Sequence, residues 1–494
     1  MLFNSYSFVF FYLPLVLIIF GIIQNRFRNE YIIAYLFITS LIFYGLWNQQ
    51  YLPILLISIL FNYTISLLIK QNYKQFYYLG LLGNLSLLIY FKYSQFVINN
   101  FSILLNQPIE LINGDLPLGI SFFTFTQIAY LTDCYKNQIK APTFINYGLF
   151  VTFFPHLMAG PILHHQEIMP QFKPEKARLL TWNNTAIGIA IFSIGLFKKS
   201  IIADTLAPYA NQMFDAASHG PVTFIEAWSG SICYTFQLYF DFSGYSDMAI
   251  GLARMFGIIF PLNFNSPYKA KNIISFWRRW HMTLSRFLRD YIYIPLGGNR
   301  HGKMSKYVNL MITMFVGGIW HGAAWTFIVW GLLHGLFLVI NHLWLYVKQK
   351  YLNFLFSRTI FIYKAIAQTI TFIIVVVAWV FFRAETFSTS YYILNAMFNP
   401  NPSFTSTIFA PEQFKIMIEL LLISSLLIFV APNTQQLFYK FKPALETYPG
   451  EIEPYSLKML QWSPNALTAA VCAILTVISL LSFGKVSEFL YYKF

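Results

Sequence analysis

Charge is what this sequence has least of: only 11% of its 494 residues are Asp, Glu, Lys or Arg, against about 25% in soluble globular chains. Set beside 57% hydrophobic and 20% aromatic residues, that scarcity excludes a disordered chain and an ordinary cytosolic globule, and it makes lipid the solvent. Cysteine is nearly absent. Cys134, Cys233 and Cys472 lie far apart with no CxxC spacing, which points away from a zinc knuckle or a disulfide framework and leaves three packing residues. The opening stretch MLFNSYSFVFFYLPLVLIIFGII lacks a basic leader and a small-residue cleavage site, so it reads as a retained first span. Acidic residues are few as well, 19 against 33 Lys and Arg, for a net charge of +14. In a membrane chain that excess reports orientation and anionic partners such as membrane lipid; no nucleic-acid partner is expected. No internal repeat is visible, which argues against transporters built from duplicated halves.

What the chain does have is a succession of apolar runs near the roughly 20 residues needed to cross a bilayer. They fall near 8–23, 31–47, 51–69, 76–91, 116–132, 186–203, 224–240, 243–260, 308–325, 326–346, 362–382, 416–431 and 467–483. The fold expected is all-α: a polytopic integral membrane protein with about 11–13 transmembrane helices plus re-entrant and interfacial segments. It reads as a single membrane-embedded domain over 1–494, with amino-terminal helices in 1–140, a core in 141–346 and carboxy-terminal helices in 347–494. The stretch 147–163 is broken by Pro155, Gly160 and Pro161 and is a re-entrant candidate, because irregular backbone at membrane depth needs protein or a water-filled cavity around it. Arg26 and Arg28, Lys70 and Lys74, and Lys136 and Lys140 follow the first, third and fifth spans, whereas 99–115 holds Glu110 and Asp115 and no base. By the positive-inside rule the amino terminus faces out, and the basic segments 173–178, 269–306 and 348–364 are cytoplasmic.

Residues 269–306 carry nine bases and one acid, net +8. Wound as a helix, FWRRWHMTLSRFLRDY (276–291) gathers Arg278, Arg279, Arg286 and Arg289 in one sector. Phe276, Trp277, Trp280, Leu284, Phe287, Leu288 and Tyr291 fill the other side. Such a helix lies in the interface. One reading is an anchor that attracts anionic lipid; the other is a dock for a phosphate-rich donor such as coenzyme A, since guanidinium matches phosphate geometry. Both can hold together. His281 lies at the border of the two faces, a place where a histidine is more often structural than catalytic. The following YIPLGGNRHG turns at Gly297-Gly298 and leads back toward the bilayer.

In MFVGGIWHGAAWTFIVWGLLHG (314–335), His321 stands among glycines and alanines in apolar sequence. An ionisable group at membrane depth is a functional candidate by default, and its small neighbours admit another helix or a substrate. Burial disfavours the imidazolium, so a neutral ring stands ready to take a proton from an alcohol. The alternative is a histidine that bridges two helices. His334, thirteen residues on, projects from the opposite side of an ideal helix and is the reference for that alternative. The stretch YFDFSGYSD (239–247) places Asp241, Ser243, Tyr245, Ser246 and Asp247 in apolar surroundings. They can bind an acceptor hydroxyl or cap a helix break; two carboxylates are too few ligands for a metal site, and none is expected. His164 and His165 in HLMAGPILHH are ambiguous in the same way.

The runs YFDFSGYSDMAIGLARMFGIIFPLNFNSPY, ISFWRRWHMTLSRFLRDYIYIPLGGNR and MFVGGIWHGAAWTFIVWGLLHG resemble the membrane-bound O-acyltransferase family, and within it the bacterial alginate O-acetyltransferase branch. PLGISFFTFTQIAYLTD, FFPHLMAGPI, GLFKKSIIADTLAPY and the terminal FLYYKF match that branch as well, so the resemblance covers nearly the whole chain. It implies a multi-helix membrane enzyme that moves an acyl group, usually acetyl, to a hydroxyl. By the resemblance, His321 in WHG is the principal catalytic histidine and His281 in RRWH the second polar position. Both stand near a tunnel from the cytoplasmic donor to the opposite face. The donor implied is acetyl-CoA, with no permanently bound cofactor, its phosphates near Arg278, Arg279 and Lys271. Asp241 and Tyr245 are candidates for the acceptor. That acceptor is an extracytoplasmic polysaccharide, alginate-like first, with peptidoglycan and other envelope glycans as alternatives. Delivery is direct or through a periplasmic SGNH-type acetyltransferase partner, at the bacterial inner membrane. The rivals from other classes are a transporter or flippase of an acyl or glycan carrier, and a scaffold for a secretion complex.

Overall fold

The computed structural model describes residues 2–106, 116–139, 143–172, 180–352, 360–400, 402–484 and 490. Glu110, Asp115, Lys140, the basic stretch 173–178, residues 353–359 of 348–364 and all of FLYYKF but Leu490 lie outside the described residues. The chain runs through α1 (Ser7–Arg26), α2 (Asn29–Trp47), α3 (Gln49–Lys70), α4 (Phe76–Leu105), α5 (Ile120–Tyr135) and α6 (Phe144–Thr152). The central region holds α7 (Trp182–His219), α8 (Phe224–Met255), the short α9 (Ile273–Trp277) and α10 (Met282–Leu288), then α11 (Gly302–His321) and α12 (Trp325–Tyr351). The helices α13 (Ile360–Arg383), α14 (Phe387–Met397), α15 (Pro411–Phe429) and α16 (Ala466–Leu481) complete the order. Among the described residues there is no strand, only an isolated bridge between Pro261 and Leu445.

Among the described residues seven helices, α1 to α4, α7, α12 and α13, are long and apolar enough to cross a membrane. The larger number of spans read from the sequence also counted the short α5, α8 as two spans, α11, α15 and the short α16. These carry polar groups that lower their hydropathy, or are too short, and α8 hides its polar groups inside the protein. Sequence reading also cut α8 in two, at the polar run near 241. It is one helix of 32 residues, about 48 Å at 1.5 Å per residue, started by a capping box in which Thr223 and Glu226 satisfy each other's backbone N–H.

Two features keep α8 unbroken. Asp241 is ion-paired at 2.7 Å with Lys199, and Asp247 at 2.8 Å with Lys198; both lysines sit in a widened π turn, Lys198–Ala203, within α7. Gly244 serves a close approach of two helices rather than a turn: a Cβ on it would lie 2.7 Å from the Gly195 carbonyl oxygen. Two helical turns along, Gly188 meets Gly251 in the same way, with 2.6 Å to the carbonyl oxygen. Small residues at matched positions let the two backbones touch.

The stretch 147–163, expected to be re-entrant, is buried throughout, and beyond α6 its backbone is irregular. After α6 the chain makes one helical turn, Phe154–Leu157, and then runs extended. Its backbone donors find partners in neighbouring elements: Phe154 N–H donates to Ser40 Oγ at 3.1 Å, and Ile162 N–H to Thr283 Oγ1 at 3.0 Å. Protein covers the polar backbone, as membrane depth requires.

The amphipathic helix read over 276–291 is corrected. Helix α9 ends at Trp277, the chain leaves helical geometry, and α10 begins at Met282. Phe276, Trp277, Trp280, Leu284, Phe287 and Leu288 are buried in protein rather than turned to lipid, and Arg286 is buried too. Arg286 is held by Glu167 through two hydrogen bonds of 2.5 and 2.7 Å. The aromatic face was legible; its partner is the protein interior.

Helices α11 and α12 cross through glycine. A Cβ on Gly331 would lie 2.4 Å from the Met314 carbonyl oxygen, and one on Gly318 2.5 Å from that of Phe327. Gly331→Ala therefore forces two backbones apart, and the expected cost is about 1–3 kcal/mol. A thermal melt of the detergent-purified variant checks this; an unchanged Tm would show that the crossing is slack.

Candidate active site

His321 is the last residue of α11 and is 2% exposed. Its ring is walled by Trp320, Trp330 and Phe382, with centroids at 5.0, 4.9 and 5.1 Å and steep interplanar angles. The helix end is anchored from α4. Lys92 Nζ donates to the carbonyl oxygens of Trp320 and His321 at 2.5 and 3.3 Å, and Tyr93 Oη donates to Ile319 O at 2.7 Å. An ammonium among the terminal carbonyls of a helix satisfies groups that have no intrahelical partner. Nothing in the apolar sequence around Lys92 singled it out.

His281 stands between α9 and α10 with φ +42° and ψ 53°. Left-handed backbone is unfavourable for a residue with a Cβ, by about 1–2 kcal/mol, and the segment 263–265 holds it in place. Asn265 N–H donates to Arg279 O, and Met282 N–H to Asn263 O, both at 2.9 Å. The ring of His281 is fully buried, edge-on to Phe242 at 4.7 Å. Trp320 contacts both imidazoles, 6.1 Å from His281 and 5.0 Å from His321.

Asn263 sets the state of His281. Its Oδ1 accepts from Thr283 Oγ1 at 2.9 Å and faces the Thr283 backbone N–H at 3.4 Å, while its Nδ2 donates to Ser246 Oγ at 3.0 Å. A backbone N–H only donates, so the amide orientation is settled by the network. His281 Nδ1, 3.1 Å from the same Oδ1, must then carry the proton, and Nε2 is the acceptor of the neutral ring.

The sequence model of the membrane-bound O-acyltransferase family matches residues 31–382. The chain belongs to that family. This O-acyltransferase is 46% identical over 432 residues to the peptidoglycan O-acetyltransferase of Helicobacter pylori, covering 81% of this chain and 80% of that protein. It is 40% identical over 411 residues to the probable alginate O-acetylase AlgI of Pseudomonas aeruginosa, covering 81% and 75%. With the probable alginate O-acetylase AlgI of Pseudomonas putida it shares 36% identity over 508 residues, the full length of both. It is thus a multi-pass membrane acyltransferase of the O-acetyltransferase type.

Within the acyltransferase, His281 and His321 are brought together around Trp320. Lys271 and Arg278 are exposed and Arg279 is half-buried, with Arg279 Nη1 donating to Asn265 O at 3.2 Å. Beside them Lys269 donates to Ala431 O at 2.7 Å, and burial together with the Arg279 charge pulls its ammonium below its ordinary range. Asp241 and Tyr245 are engaged elsewhere: Asp241 pairs with Lys199, and Tyr245 stacks on Phe3 at 4.9 Å. The adjacent positions Phe242 and Ser246 are the ones that reach His281 and Asn263. His165 pairs with Asp133 at 3.0 Å, and Tyr291 donates to Asp133 at 2.9 Å.

His334 does not project away from His321. The helix ends at His321 and restarts at Trp325, so an ideal wheel does not run through both. Both rings pack on Trp330, at 4.9 and 4.7 Å. Trp277 Nε1–H donates to His334 Nδ1 at 3.2 Å, which makes His334 the bridge between helices that was the alternative for His321.

Proposed function

We propose that the enzyme moves acetyl from cytoplasmic acetyl-CoA to hydroxyls of an extracytoplasmic glycan, with His321 as general base. The observation that carries this reading is the buried His321 ring at the tip of α11, which shares its contact on Trp320 with a second buried imidazole, His281. The donor approaches from the basic face, its phosphates met by Arg278, Arg279 and Lys271. The acceptor hydroxyl gives its proton to His321 as its oxygen attacks the thioester carbonyl; the C–S bond breaks, and the thiolate leaves and takes up a proton. Aromatic walls exclude water that would hydrolyse the thioester. His281, with Nδ1 engaged by Asn263, presents Nε2 as a hydrogen-bond acceptor that orients the incoming hydroxyl. The Pseudomonas likenesses support an alginate-like acceptor, and the Helicobacter likeness supports peptidoglycan. Transfer is direct or through a periplasmic SGNH-type acetyltransferase, at the bacterial inner membrane.

The test is coenzyme A release by the purified protein with glycan acceptor present. An acyltransferase releases it in proportion to acetylated glycan, whereas a transporter releases none. In the same assay Arg278→Ala with Arg279→Ala is expected to raise KM for acetyl-CoA at least about tenfold, since hydrogen bonds to charged groups contribute roughly 1.5–3 kcal/mol each. Unchanged donor affinity with an altered lipid preference would instead make these arginines a membrane anchor.

A further inference from the structure

A cavity of about 780 Å³ opens between the end of α7, the carboxy-terminal end of α13, the start of α14 and Gln413 of α15. It lies at the end of the protein away from the basic segment. Gly230, near the start of α8, packs on Met213 beside the cavity, whereas the other end of α8 leads into 269–306. It is one residue removed from the wall of the His321 ring. Arg383 lines it, and the preceding residue, Phe382, packs on His321 at 5.1 Å.

The volume suits a bound oligomer of small units, within the roughly 300–1,000 Å³ of ordinary ligand sites. The lining mixes side-chain amides, hydroxyls and a ring, represented by Asn211, Gln212, Gln413, Thr386 and Tyr209. Paired donors and acceptors at this density match the hydroxyl groups of a sugar, which both donate and accept.

Charge narrows the class. Asp204, Asp215 and Glu385 line the cavity, and Arg383 is the only cation among the described lining residues. Lys199 answers Asp204 from beneath at 2.8 Å. Arg383 donates to Asn211 Oδ1 at 3.1 Å and lies over the Phe214 ring at 5.4 Å, so its guanidinium is engaged by two other lining residues. Asp215 and Glu385, both exposed, leave the lining with an excess of carboxylate, and like charges set against each other reject the wrong partner.

We infer that this cavity binds a segment of an uncharged glycan strand and discriminates against polyuronates. The inference rests on the proposed glycan acceptor and narrows it: a polyuronate such as alginate is disfavoured, and the acceptor is neutral where it meets the protein.

The experiment is calorimetric binding, at low salt and without acetyl-CoA, of a β-linked mannose tetramer and the matching mannuronate tetramer to the full-length protein in detergent. The pair differs only in its carboxylates. The mannose tetramer is expected to bind at least about tenfold more tightly, a gap that shrinks at high salt as the carboxylates are screened. Asp215→Asn with Glu385→Gln should close most of that gap by admitting the uronate, and Asn211→Leu should weaken the mannose tetramer about tenfold. These three positions are exposed, and a thermal melt confirms folding. Equal or tighter uronate binding, no binding of either tetramer, or indifference to Asn211→Leu overturns the inference. Coenzyme A release that persists without tetramer binding sinks this site and spares the acetyl-transfer reading; tetramer binding without acetyl transfer does the reverse.

Discussion

His321→Ala is expected to lower acetyl transfer by about 10²–10⁴-fold, the usual worth of a positioned general base, with acetyl-CoA affinity nearly unchanged. The donor's phosphates are proposed to meet Arg278 and Arg279, on a different element from the His321 imidazole. Lost packing is the rival explanation, because the ring fills an aromatic box formed by Trp320, Trp330 and Phe382. His334→Ala separates the two. His334 is as deeply buried, shares Trp330 and takes a hydrogen bond from Trp277, so its loss costs packing as well as a structural bridge. A melt of both variants should show comparable destabilisation, while only His321→Ala loses turnover. Free imidazole added to His321→Ala should restore part of the rate by occupying the vacated box. Equal activity loss in both variants, with no rescue, would reduce His321 to a packing residue.

Periodicity made one kind of information legible and hid another. The aromatic stripe from Phe276 to Leu288 was readable because apolar spacing reports what is buried. What it is buried against was not readable, so a lipid surface was expected where protein stands. The left-handed backbone of His281 divides the segment, and the bonds that impose it come from 263–265, far from any local signal. The polar run at 239–247 was visible, yet its role was not, because Lys198 and Lys199 reach Asp247 and Asp241 from another helix. That pairing turns an apparent helix break into the interior of one long helix. Lys92 is the converse case: a single base in an apolar run whose importance appears only when its ammonium is found on the carbonyls at the end of α11. WHG and RRWH were recognisable by family resemblance, whereas the contact of both rings with Trp320 depends on the tertiary fold.

Asn263→Leu is expected to lower kcat by about 10–100-fold, the range seen when a hydrogen-bond partner that orients a functional histidine is removed, while KM for acetyl-CoA stays within about twofold because the proposed donor contacts are on other residues. The leucine has no acceptor for His281 Nδ1–H, and Thr283 and Ser246 lose their partner as well. A loss of activity alone does not separate orientation from general destabilisation, since buried donors left unpaired cost stability too. Asn263→Asp does separate them. A carboxylate still accepts from Nδ1–H and from Thr283, so the ring orientation survives. It also stabilises the imidazolium, so His281 stays protonated to higher pH. If neutral His281 is the working form, the acid limb of the kcat/KM profile moves to higher pH in Asn263→Asp, and activity recovers toward the wild-type plateau once the ring is deprotonated. A purely structural asparagine would leave the limb where it was and change only the height of the profile. An Asn263→Asp profile that superimposes on wild type after scaling would therefore remove Asn263 from control of His281, and with it the assignment of Nε2 as the atom that meets the acceptor.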